Sequence, residues 1–485
     1  MEVLMETSYA KYHTDLVLFW AHILKIFRLL KASEVAKFVA MGGTLRPRQE
    51  METRFPSLYL SGEEAVQLMT RGQNADPGNA VGQGDGCRTR IYALSYCWLS
   101  NDHPDPKGST INTVMEGLDV HQSVRQGTEE GRNLLLKMRE ERGGGEDDEE
   151  TWREKHFHRT STNSLPEDPT ADFSLLFHDF VSLFQSTPPP TSSSRTPEDD
   201  ALFKEGLELL SCVYGNTASS VYFLRCTQVP SELNKAPYHL RGWTNFESRV
   251  ASVKRKGETF HLGPFTETLD GHPLLSPVAF QRMLEEKRDE ERSESNTEGF
   301  VVRFTNGRED RPLVANLYRQ FVLDTQVRGQ KKIEMFDQFD VNTKDRGEIC
   351  GEFFAWIGQQ PECGVEEVDL RSCCLNSLSL PPVALGLSAI RTLRVLELDG
   401  NTFRLSDLAA LTGLGQLKKL YLATYNDPLF ADSQSRLLHF ARTLRSSREL
   451  RDLQRALGPE CELLFFNSNY EWEALGGSVC RCVLM

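Results

Sequence analysis

A chain of 485 residues has room for two or three domains, and with 39% hydrophobic and 26% charged residues it can fill globular cores and keep polar segments outside them. Its 55 Lys and Arg face 69 Asp and Glu, a net charge of −14 with no basic block. That excludes sequence-independent nucleic-acid binding, which needs cations to displace counterions, and points to small-molecule, protein or lipid partners.

Residues 1–11 carry Glu2 and Glu6 where a secretory signal has basic residues. Residues 16–30 are apolar but contain His22, Lys25 and Arg28, too short and too charged a run to span a bilayer. Leu16, Phe19, Trp20, Ile23, Phe27 and Leu30 recur at three and four. This spacing predicts one amphipathic helix docked on the main domain, in a helical segment over 1–45 that Gly42-Gly43 closes. Residues 72–86 read as a Gly/Asn/Asp loop. The 11 cysteines show no paired C-x-x-C or His spacing, so no metal site is expected and they read as free thiols of a reducing compartment.

From 88 to 325 short apolar runs alternate with helical patterns, the mark of an α/β domain. Polar insertions interrupt it, with disorder expected near 143–170 and 186–197 and an exposed mixed-charge run at 285–294. IYALSYCW at 91–98 reads as a strand, followed by a turn with Asp102. LLFHDF at 175–180 is a second strand, 198–214 a helix, 220–224 a third strand, and 238–247 the start of another helix. Open α/β sheets bind ligands at the carboxyl ends of parallel strands. Tyr96, Trp98 and Asp179 lie near such ends, and Arg241 to Glu247 follow another.

Residues 330–360 read as a helical connector that looks like a worn EF-hand. Aligning Gly347 to the loop glycine puts Lys344 and Arg346 at ligand positions, where they repel calcium. The period then changes. Val365-x-x-Val368-x-Leu370, Leu393-x-x-Leu396-x-Leu398-x-x-Asn401 and Leu417-x-x-Leu420-x-Leu422 form a leucine-rich repeat pattern. A short stack with its cap is expected over 361–470, presenting a surface to a protein partner. Residues 471–485 read as a flexible tail ending in a C-a-a-X box, with Cys482 as the prenylated residue and Cys480 as a second acylation site. These features predict a cytoplasmic chain on the inner face of a membrane.

Four motifs in order carry a family resemblance. ALSYCW resembles the ALSYCWG strand of fungal heterokaryon-incompatibility (HET) domains, with Leu99 in place of the glycine. HDFVSLFQ is similar to their ID-x-LCI-x-Q strand, with Asp179 and Gln185 in register and the cysteine missing. VYGNTASSVYFL resembles their next helix and strand, and RGWTNFE their RGWT-x-x-E. HET domains are in turn similar to Toll/interleukin-1 receptor (TIR) domains, which share the Ser-Tyr strand end and a W-x-x-x-E signature, here Trp243 to Glu247.

The resemblance implies a TIR-like parallel sheet in a signalling or defence protein, with self-association of the α/β domain. Active TIR domains cleave the nicotinamide–ribose bond of NAD through that glutamate. Glu247 is then the catalytic candidate, its carboxylate stabilising an oxocarbenium-like ribose. Tyr96, Trp98 and Trp243 would stack on a flat base, Arg241 would pair a phosphate, and Asp102 and Asp179 complete the expected substrate site. NAD enters as substrate, with no tightly bound cofactor. The alternative reading is a non-catalytic interaction module.

Overall fold

The computed structural model describes residues 10–73, 89–98, 103–115, 118, 174–185, 195–227, 236–255, 258–262, 272–287, 301–304, 307–336, 338–422, 448–466, 472–474 and 479–480. Residues 1–269 and 284–317 make one compact unit, and 270–283 with 318–485 a second. Both are mixed α/β with mainly parallel sheets. Asp102, Cys482, the insertion at 143–170 and most of 186–197 lie outside the described residues. Among the described residues no helix is long and apolar enough to cross a membrane.

The first unit is built on five strands: β1 (Leu30–Lys31), β2 (Arg90–Tyr96), β3 (Ser174–Phe177), β4 (Val221–Cys226) and β5 (Thr259–Leu262). Their order is β1-β3-β2-β4-β5. β2 pairs parallel with β3 and β4, and β4 with β5. β2 and β4 are buried at every position, as expected of central strands covered on both faces. Because β3 lies on one side of β2 and β4 on the other, the chain reverses its winding direction at β2. The carboxyl ends of β2 and β4 therefore flank a topological switch point.

The N-terminal segment is part of this unit, and its apolar run is not one helix. Helix α1 (Leu16–Ile23) stops after two turns, Lys25 takes a left-handed φ of 61°, and the chain enters β1. His22 makes the break: its Nδ1 accepts the Leu29 N–H at 3.1 Å. Burial, with Arg28 nearby, lowers the His22 pKa to about 3, keeping the ring a neutral acceptor. Helices α2 (Ala32–Ala40), α3 (Arg48–Arg54) and α4 (Gly62–Gln73) follow. After β3 come the short α5 (Asp179–Ser182) and α6 (Pro197–Tyr214). α6 opens with a reciprocal Thr196–Asp199 capping box and Pro197 in its first turn. α7 (Gly242–Ala251) packs against α6 and β2. Of α8 (Pro277–Glu285), residues 277–283 belong to the second unit, and α9 (Gly307–Gln326) belongs to the first unit up to Leu317 and to the second from Tyr318.

The second unit contains β6 (Lys332–Glu334), β7 (Glu367–Asp369), β8 (Val395–Glu397), β9 (Lys419–Leu422) and β10 (Glu462–Phe466), all parallel. β11 (Trp472–Ala474) and β12 (Val479–Cys480) add antiparallel strands, so backbone pairing enters the stretch expected as a flexible tail. Ile333, Val368, Leu396, Leu420 and Leu463 sit in register, each at most 1% exposed. The helices are α10 (Lys344–Gly358), α11 (Leu380–Leu387) and α12 (Arg448–Leu457).

The segment 330–360, expected as a connector, instead supplies a strand and a helix to this array. Gly351 and Gly386 explain how α10 and α11 pack: a Cβ on Gly351 would lie 2.3 Å from the Pro382 carbonyl oxygen, and one on Gly386 2.1 Å from that of Gly351. The two backbones touch, so glycine is required there by space, and Gly347, the glycine of the worn EF-hand pattern, is tight in the same way, a Cβ there lying 2.7 Å from Ser379 Cα.

Candidate functional site

Strand β2 ends in Ser95-Tyr96, and alternation along a strand sends these two side chains to opposite faces. Each meets a carboxyl group. On one face the Ser95 hydroxyl donates to Glu247 Oε2, and Ser95 also shares a hydrogen bond with the Tyr238 hydroxyl. On the other, the Tyr96 hydroxyl donates to Asp179 Oδ1 at 2.7 Å and the Trp98 indole N–H to Asp179 Oδ2 at 2.9 Å. The Asp179 carboxylate also accepts the Phe180 N–H at 2.7 Å. The carboxyl ends of the central strands thus hold two carboxyl groups, one per face.

α7 delivers Glu247. Gly242 lets the helix start against Phe304, whose ring would lie 1.9 Å from a Cβ at that position. The Thr244 hydroxyl bonds the Tyr238 carbonyl and the Asn245 amide the His239 carbonyl at 2.7 Å, fixing the preceding turn. Glu247 is 6% exposed and makes no ion pair among the described residues. Burial, then the charge of Asp179, pushes its carboxyl well above the usual range, against hydrogen bonds from Ser95 and Tyr214 that favour the anion. Burial thus favours its neutral form. Asp179 keeps 22% of its side-chain surface exposed. Burial raises its pKa, while Tyr96, Trp98 and the Phe180 N–H pull it down.

His178 precedes Asp179 and is fully buried, its Nδ1 3.4 Å from the Tyr96 hydroxyl. Burial lowers its pKa to about 4, so the ring is neutral, and its Nε2 has no hydrogen-bond partner among the described residues.

The remaining expected residues are committed to internal bonds. Arg241 donates Nε to the Ala236 carbonyl at 2.9 Å and a terminal nitrogen to the Trp98 carbonyl. The Trp243 indole donates to Asp310 at 3.0 Å, and its ring meets Phe246 edge-on at 6.2 Å. Tyr96 and Trp98 gather on Asp179 rather than beside Glu247. Ser95, Tyr214, Tyr238 and His178 are the groups that the sequence did not single out. The alternation of β2 is the signal that separates Ser95 from Tyr96; nothing local points to Tyr214 or Tyr238.

A carboxyl whose pKa is raised in the fold makes stability fall as pH rises above the ordinary glutamate value. Glu247→Gln removes this contribution. Thermal unfolding of the variant should match wild type near pH 4 and occur at higher temperature near pH 8. A lower melting temperature at pH 8 would show that Glu247 is ionised and stabilising in the fold.

No protein-family model matches the chain, and neither a curated protein nor a solved structure matches it.

Proposed function

We propose that the chain is a TIR/HET-like signalling or defence protein whose first unit carries a latent centre for cleaving the nicotinamide–ribose bond of NAD. The observation that supports it is the position of Glu247: a buried carboxyl with no ion-pair partner among the described residues, at the switch point of a parallel sheet. A carboxyl that only packs gains nothing from being ionisable, and perturbed acids in such places are candidates for chemistry. NAD brings its own cation. A pyridinium facing Glu247 favours the carboxylate, its proton passing to water; nicotinamide then leaves with the electrons of the C–N bond while the carboxylate stabilises the ribosyl cation, and a water adds to that cation and releases its proton to solvent. Ser95 and Tyr238 hold the carboxyl in place. In this reading the second unit is a short leucine-rich repeat stack that docks a protein partner, and a lipid on Cys482 holds the chain at a membrane surface.

A second reading is favoured by the internal bonds of the same groups. Glu247 is bound to Ser95, Arg241 to Trp98 and Trp243 to Asp310. An arrangement so fully satisfied suits a non-catalytic module that self-associates.

NAD consumption by the purified full chain, concentrated or crowded on beads, separates the two. Wild type is expected to release nicotinamide, and Glu247→Gln to lose on the order of 100-fold of that rate. Equal silence of both proteins, while the chain demonstrably assembles, would leave the adhesive module as the function.

A further inference from the structure

Tyr214 is the last residue of α6 and is fully buried, its ring edge-on to Phe177 and Phe223, both at 6.0 Å. These rings hold its hydroxyl where it meets two groups: the Leu94 carbonyl of β2 at 3.1 Å, and the Glu247 carboxyl. A tyrosine hydroxyl has one proton to donate. A carbonyl can only accept, so that proton goes to Leu94. The bond with Glu247 then runs the other way, from a carboxyl O–H to the Tyr214 oxygen. Donation by Tyr214 would favour the anion, but it needs the proton that Leu94 already holds.

The other side of the carboxyl fits the same direction. Ser95 gives its one proton to Glu247 Oε2, so Tyr238 is the donor in the bond between Tyr238 and Ser95. From Tyr238 through Ser95, Glu247 and Tyr214 to Leu94, each O–H donates once and each bond has a proton. Removing the carboxyl proton leaves the Tyr214 oxygen facing a carboxylate lone pair, unless Tyr214 gives up Leu94. The ionisable groups around the cluster do not offset this. Asp179, at the start of α5, adds negative charge that opposes ionisation of Glu247. Arg225, on β4 opposite Ser95, lies 5.8 Å from the Tyr238 ring centroid and acts, like Cys97, on Tyr238.

We infer that Tyr214 is a positioning residue that latches Glu247 as a protonated acid by accepting its O–H, with the Leu94 carbonyl fixing Tyr214 in that role. For a centre that needs the carboxylate, a premise that rests on the NAD reading, the latched acid is the resting state. A cationic substrate breaks the O–H···O bond, and the carboxyl proton leaves to water. Tyr214 keeps its own proton on Leu94 throughout and is not the base.

Infrared difference spectra of the full chain, each protein against its Glu247→Gln counterpart, read the protonation of this one carboxyl as pH is varied, with no substrate present. Wild type near neutral pH is expected to show the C=O stretch of a protonated carboxyl. Tyr214→Phe removes the acceptor of that proton and should move the titration to lower pH by about one unit, the size of one hydrogen bond. Ser95→Ala removes a donor and should move it to higher pH by a similar amount. General loosening that admits water would move both variants downward. An upward shift in Tyr214→Phe, or a downward one in both, overturns the latch. Absence of the protonated band in wild type overturns it whether or not the variants fold. If the chain cleaves NAD, the rising limb of its kcat/KM against pH should move down in Tyr214→Phe in step with the band. Absence of cleavage removes the NAD reading and leaves the spectra to decide the latch.

Discussion

Arg48→Met is expected to destabilise the first unit by about 3–5 kcal/mol, the range for breaking a buried charged network from one side. The Arg48 side chain is completely buried. Its Nε pairs with Glu52 at 2.9 Å. Its terminal nitrogens donate to the carbonyls of Lys25 at 2.9 Å and of Ile26 and Ser182 at 3.2 Å. The guanidinium plane lies 3.8 Å from the Phe184 ring centroid. One side chain thus joins the break after α1, helix α3 and the turn after α5. Methionine fills similar space but leaves the Lys25 and Ile26 carbonyls without donors, the Ser182 carbonyl with only the Arg28 N–H at 3.0 Å, and Glu52 with Arg28 alone. Lysine keeps the charge but lacks the planar fork that reaches all three carbonyls, so it should recover little. Urea unfolding with hydrogen exchange read over β2 and β3 measures the loss. A change below about 1 kcal/mol would mean that water replaces the lost bonds.

Asn401→Ala should cost the second unit about 3 kcal/mol or more. Asn401 is fully buried. Its Oδ1 accepts the Leu375 N–H at 2.9 Å, and its Nδ2 donates to the carbonyls of Leu370 and Leu398, both at 2.8 Å. The amide thus ties the turn after β7 to the turn after β8. Alanine strands three backbone groups inside the array, at about 1–3 kcal/mol each before relaxation. Asn401→Asp keeps the acceptor, loses both donors and buries a charge, so it should be worse than alanine. Hydrogen exchange at Leu375 tests the mechanism directly: protection lost there but kept at Leu420 matches it. Unchanged protection at Leu375 would refute it.

The bonds of Asn401 illustrate what was legible in the sequence. The repeats at 365, 393 and 417 place apolar side chains at a fixed period, and that period alone brings β7, β8 and β9 into parallel register. β2 and β4 were legible because strands buried on both faces are nearly continuous apolar runs. β6 was not, because Lys332–Glu334 holds one apolar residue and becomes a strand only through β7. β1 is two residues long and likewise exists by pairing. The break after α1 depends on a His22 ring that reaches seven residues along the chain.

At the candidate site, the sequence placed Tyr96, Trp98 and Asp179 near strand ends, and the structure brings those three together. It did not show that Glu247 faces Ser95, 152 residues away. Nor did it show that Arg241 and Trp243 are engaged internally. Such commitments are set by packing between distant segments, which no local pattern encodes.

The pairing of β1 with β3 also joins segments far apart in the chain. β1 emerges early in synthesis, whereas its partner Ser174–Phe177 follows only after β2 and a long intervening stretch. Until then the N-terminal segment has no sheet to join, and once β3 docks on β2 its outer edge stays open until Leu30 and Lys31 return. Contacts so distant along the chain close slowly. An open apolar edge is a template for pairing with another copy. This two-residue strand therefore acts less as reinforcement than as a seal. Chains that lose it by proteolysis or truncation should leave solution as aggregates before they lose their helices.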